Sequence, residues 1–77
     1  MSYSVNTVEL KKLMIENGIE TISELAERSG VGRSTIAGVV NGKIRPSTAV
    51  MEKIMAALDM KPVDAGVIFF VPNLRNA

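Results

Sequence analysis

Apolar positions recur at helical intervals in five stretches of this chain, separated by polar or glycine-bearing breaks. From Thr7 to about Asn17, Leu10, Leu13, Met14 and Asn17 share one face. Thr7 is the expected N-cap of this first helix, and Gly18 its C′ residue. Ile19 then turns inward. Thr21-Ile22-Ser23-Glu24 has the form of a capping box and opens a second helix running to about Arg28. Its inner face is Ile22, Leu25 and Ala26. Ser29-Gly30-Val31-Gly32 reads as a turn, with Gly30 supplying a left-handed residue and Val31 plugging the angle between helices. A third helix is expected from about Arg33 to Val40, with Ile36, Val39 and Val40 inward and Asn41-Gly42 as a left-handed end. Ser47 caps a fourth, about Thr48 to Leu58, burying Val50, Met51, Ile54, Met55 and Leu58. Pro62 opens a fifth through about Phe69. Residues 1–6 read as a loose arm, 7–70 as one domain and 71–77 as a non-helical tail stopped by Pro72.

The expected class is all-α, with five helices. A short helix, a glycine turn and a second helix with a small, polar outward face make a helix-turn-helix at helices two and three. That arrangement presents one helix to the major groove of DNA.

Composition narrows the alternatives. Hydrophobic residues make up 47% of the chain and aromatics 4%, which favours a core of aliphatic side chains between helices. With no Cys and no His, disulfides, thiolate metal sites and the commonest general base are excluded. No cofactor and no metal site is expected, nor an enzyme. No apolar run approaches the ~20 residues of a membrane span, and no signal peptide pattern opens the chain. A soluble, cytoplasmic protein is expected. Five methionines fall on inner faces or termini, where core filling explains them.

The net charge of +1 says little about partners, but its distribution says more. Lys11 and Lys12 stand against Glu9, Glu16, Glu20, Glu24 and Glu27 in residues 1–27, a net of −3. Arg28, Arg33, Lys43, Arg45 and Lys53 stand against Glu52 in residues 28–53, a net of +4. Positive charge therefore gathers in and just after the motif, where a phosphate-facing surface needs it.

Arg33, Ser34, Ala37, Gly38 and Asn41 share the outward stripe of helix three. Arg33 carries a guanidinium fork matched to guanine O6 and N7, Ser34 can bond a base or phosphate, and Ala37 can touch a thymine methyl. Gly38 has two readings, close approach to DNA or close packing against a neighbouring helix. Base-reading candidates are thus Arg33, Ser34, Ala37 and Gly38. Phosphate-binding candidates are Thr21, Ser23, Thr35, Asn41, Lys43 and Arg45, aided by free amides at the start of helix two. Arg28 reads as a solvated or helix-ending charge.

At these residues the chain resembles the lambda-repressor-like (Cro and repressor, or XRE) family. The resemblance lies in Thr21, Leu25-Ala26, Gly30-Val31, Arg33-Ser34-Thr35-Ile36, Asn41-Gly42-Lys43 and Pro46-Ser47, and extends over about residues 7–70. It implies a five-helix domain that binds a two-fold operator as a homodimer and regulates transcription, commonly as a repressor of phage or mobile-element type. By position it makes Arg33, Ser34 and Ala37 base-facing, and Asn41 and Lys43 phosphate-facing. Three positions depart from the pattern. Ile22 stands where many members carry a polar residue, often glutamine. Gly32 replaces a common serine cap, and Gly38 replaces a larger side chain.

A dimer surface should be apolar and lie outside the motif. Val67-Ile68-Phe69-Phe70-Val71 is the candidate, because five consecutive apolar residues cannot all face one small core. The competing reading is that Ile68 and Phe69 cap the domain's own core. A different class of function is an antitoxin-like interaction module whose tail docks a protein partner and whose DNA binding is autoregulatory.

Overall fold

The computed structural model describes residues 3–72, so residues 1–2 of the arm and 73–77 of the tail lie outside it. Five helices follow in order: α1 (Thr7–Glu16), α2 (Ile22–Ser29), α3 (Arg33–Val40), α4 (Thr48–Ala57) and α5 (Pro62–Phe69). Two short strands, β1 (Tyr3–Ser4) and β2 (Val71–Pro72), flank them and pair antiparallel. None of these helices is long and apolar enough to cross a membrane.

Local chemistry sets most helix boundaries. The Thr21 hydroxyl accepts from the Glu24 amide at 3.1 Å and meets the Glu24 carboxylate at 3.4 Å. The Ser47 hydroxyl accepts from the Val50 amide at 3.2 Å. Lys61's amide donates to the Asp64 carboxylate at 3.2 Å, and Pro62 fills the first helical position of α5. Gly30 takes the left-handed conformation, φ +73°, that lets the chain leave α2 and enter α3. The first cap differs from expectation: Asn6, not Thr7, holds α1, its Oδ1 accepting from the Glu9 amide at 3.2 Å. Thr7 is already helical. Asn is as good a cap as any hydroxyl, so the sequence offered two adjacent choices. At the end of α3, Asn41 is not left-handed (φ −91°); Gly42 alone takes that role.

Leu10, Ile19, Leu25, Ile36, Val39, Ile54, Leu58 and Phe69 form the fully buried centre. Every helix contributes at least one side chain to the surrounding core. The apolar run at the end of α5 divides. Ile68 (4% exposed) and Phe69 (0%) lie inside the protomer, whereas Val67 (55%) and Phe70 (41%) lie outside. Ile68 and Phe69 are therefore core residues rather than interface residues. At about 100° per residue, Ile68 and Phe69 face the core together while Val67 and Phe70, three positions apart, face away from it.

The first and last described residues are joined. Tyr3 pairs with Pro72 and Ser4 with Val71, and the Asn6 amide donates to the Ile68 carbonyl at 2.7 Å. Proline lacks a ladder donor and is tolerated at such an edge. Arg45, from the loop between α3 and α4, fixes this ribbon. Its guanidinium lies 5.2 Å from the Tyr3 ring centre and 5.1 Å from that of Phe70. It also donates to the Phe69 carbonyl at 3.3 Å. The two rings meet edge to face at 5.8 Å.

Gly38 is settled by packing. A Cβ there would lie 2.7 Å and 2.8 Å from the Ile44 side chain, which folds back over α3. The close neighbour is thus the following loop, not another helix. The Lys43 and Ile44 amides both donate to the Gly38 carbonyl, at 2.8 Å and 3.2 Å, and hold that loop down. Glycine within a helix costs about 1 kcal/mol relative to alanine. In an Ile44→Ala background, Gly38→Ala should therefore raise stability by about 0.5–1 kcal/mol. With Ile44 present it should give no gain or a loss. Urea denaturation of the four variants measures this coupling; equal gains in both backgrounds would refute the packing assignment.

Candidate nucleic-acid interface

α3 is anchored by Ile36, Val39 and Val40, all buried, against α1 and α2. Leu25 of α2 and Val31 in the turn fill the angle between the two helices of the motif. This leaves Arg33 and Ser34 fully outward, with Ala37 and Thr35 half-buried beside them. Arg33, Ser34 and Ala37 line one open concavity with Ile22 of α2. Three of the four base-reading candidates thus meet on one surface. Gly38 does not join them, because its outward side is covered by Ile44.

The phosphate-binding candidates separate into distinct situations. Thr21 and Ser23 are exposed at the start of α2, where first-turn amides precede the intrahelical ladder. The Thr21 hydroxyl already serves as the cap, so a phosphate there would share it. Asn41 and Lys43 are exposed just beyond α3, on a loop tied by its backbone to Gly38. Thr35 is half-buried on the side of α3. Arg45 differs from expectation: its guanidinium is committed to Tyr3, Phe70 and the Phe69 carbonyl. Contacts with the two rings and a carbonyl bond hold the fork against the domain, although the residue stays exposed.

Arg28 is also occupied within the protein. Its Nη1 donates to the Asn17 carbonyl at 3.3 Å, so a cation in the last turn of α2 also meets the end of α1. Sequence reasoning did not pair Ile44 with Gly38, or Tyr3 and Phe70 with Arg45. A glycine six residues before an isoleucine was the one local hint for Ile44. The two aromatics lie at opposite ends of the chain and gave none.

Among the described residues, no group of three or more acidic, His or Cys side chains could hold a metal ion. An open surface of mixed character, with one basic fork and a basic loop beyond α3, suits a polyanion with readable edges.

The comparisons with known proteins agree with this geometry. The family model for the Cro/C1-type HTH DNA-binding domain matches residues 9–67. A solved structure, that of the restriction-modification controller protein C.AhdI from Aeromonas hydrophila, superposes with a TM-score of 0.66. The two are 31% identical, and the match covers 75% of this chain and 86% of that one. A comparison with curated protein sequences finds no match. Fold, motif and family model converge: the chain belongs to the Cro/C1-type helix-turn-helix family and is a DNA-binding transcription regulator.

Proposed function

We propose that this regulator binds a two-fold operator as a homodimer, inserts α3 into the major groove, and represses transcription by occluding the promoter. The observation that carries the reading is the single open surface made by Arg33, Ser34, Ala37 and Ile22 over a helix whose other side is buried. Arg33 stands at the amino end of α3, where such helices meet base edges, and its fork fits guanine. Ser34 and Ala37 read the neighbouring positions. Asn41, Lys43 and the α2 amino end set the register on phosphates.

One α3 offers too few base contacts for useful specificity, so a second copy about 34 Å away is required. The exposed apolar residues of α5 supply a surface for it. Val63 (71% exposed) and Val67 lie one turn apart, with Phe70 beyond them, on one stripe. A self-complementary patch of this kind suits a two-fold contact. The likeness to a restriction–modification controller protein supports a regulatory role.

Arg33→Ala should abolish discrimination between operator and random DNA while leaving the circular dichroism spectrum unchanged. Undiminished selectivity in a competition assay would remove Arg33 from its role. Lys43→Ala should lower the slope of log affinity against log salt by about one, as one lost phosphate contact does. Arg45→Ala should lower the thermal midpoint but leave that slope nearly unaltered; a matching drop in slope would place Arg45 on phosphate after all. Val63→Glu with Val67→Glu should convert dimers to folded monomers in sedimentation velocity. A persistent dimer would move the interface off α5.

A further inference from the structure

Ile22 is the first residue of α2, and its side chain is half-buried. It packs against the core and also forms a wall of the open concavity, about 330 Å³, that holds Arg33, Ser34 and Ala37. Ile22 has no hydrogen-bonding group on its side chain, so it can add nothing there to a phosphate or to a polar base edge. Ala37 presents only a methyl. The concavity is therefore hydrocarbon on two walls and polar on the side of Arg33 and Ser34.

The floor of the major groove offers one apolar feature, the C5-methyl of thymine. Cytosine at the same place would bring no methyl to the hydrocarbon walls. We infer that Ile22 and Ala37 form a cleft for a pyrimidine C5-methyl, so that the domain reads a thymine beside the base met by Arg33. The inference rests on α3 lying in the major groove as proposed above. Its new element is a specificity determinant supplied by α2, at a position outside the recognition helix. The same cleft accepts the methyl of 5-methylcytosine, because both pyrimidines carry it at C5 while differing at position 4.

The test uses the full chain and an operator recovered by selection from random duplexes. Each thymine of a half-site is replaced in turn by deoxyuridine, which removes the methyl and nothing else. One position should lose about three- to fivefold in affinity, the effect of burying one methyl. There, 5-methylcytosine should bind better than cytosine. Ile22→Ala should bind the thymine and deoxyuridine duplexes nearly equally. Ile22→Val, which keeps most of the packing, should show a reduced preference and provides a folded variant if Ile22→Ala is unstable. The cleft is overturned if no thymine responds to loss of its methyl, as would follow if Ile22 rested on a deoxyribose. It is equally overturned if the response is undiminished in folded Ile22 variants. In either case Arg33→Ala still abolishes selectivity. If Arg33→Ala leaves selectivity intact, the major-groove reading has failed and the cleft falls with it.

Discussion

The burial of Ile36, Val39 and Val40 is the contact on which the rest of the molecule depends. α3 has eight residues, and its N-cap, Gly32, makes no side-chain hydrogen bond. It also contains Gly38. A helix this short is unstable in water by itself, because nucleation costs more than so few hydrogen bonds return. Tertiary packing must therefore hold it, through one face only, so that the other stays free. Leu25, Val31 and the α1 residues around Leu10 exist in this arrangement as the seat for that face.

The same constraint explains the loop after α3. A helix end without strong capping side chains needs its carbonyls satisfied from beyond. The Gly42, Lys43 and Ile44 amides do this by bonding back to Val39 and Gly38. For Ile44 to lie over α3, position 38 must be small, and glycine's cost in helix stability is offset by that contact. Arg45 then ties the loop to a second part of the domain. Through Tyr3, Phe70 and the Phe69 carbonyl it links the loop to the two chain ends. A basic residue two places from Lys43 thus has the opposite task. Lys43 faces outward, and Arg45 braces the segment that carries it.

What could be read in the sequence was what depends on neighbours within about one turn. Thr21, Ser47 and Pro62 mark helix starts by bonds or ring geometry reaching three residues or fewer. Gly30 marks the turn by a backbone conformation that other residues rarely adopt. The inward sides of α3 and α4 followed from their period. The remainder depends on residues far apart in the chain. Nothing local tells Arg45 that two rings, 42 residues before it and 25 after it in sequence, will meet it. Nothing local divides Ile68 and Phe69 from Val67 and Phe70 either, because all four are apolar and only the position of α5 on the core decides. Two-residue strands give no alternation, so β1 and β2 were invisible. On the reading surface, Arg33, Ser34 and Ala37 were legible because they share a stripe of one helix. Ile22 joins them across the turn, and its place on that surface needed the fold.

These corrections leave a small reading surface, and smallness has a consequence for how selectivity must arise. With Gly38 covered and Arg45 committed, one guanidinium, one hydroxyl and two hydrocarbon groups remain where base edges would lie. A bidentate arginine–guanine pair contributes about 1–3 kcal/mol of discrimination, and a single methyl contact less. One copy of the domain then separates sites only modestly, and most of its attraction to DNA comes from charge that ignores sequence. Two copies at fixed spacing multiply the selective part without changing the domain. On the proposed dimer, the exposed stripe of α5 would therefore matter to recognition as much as α3 does, since it would determine whether two lean surfaces act as one.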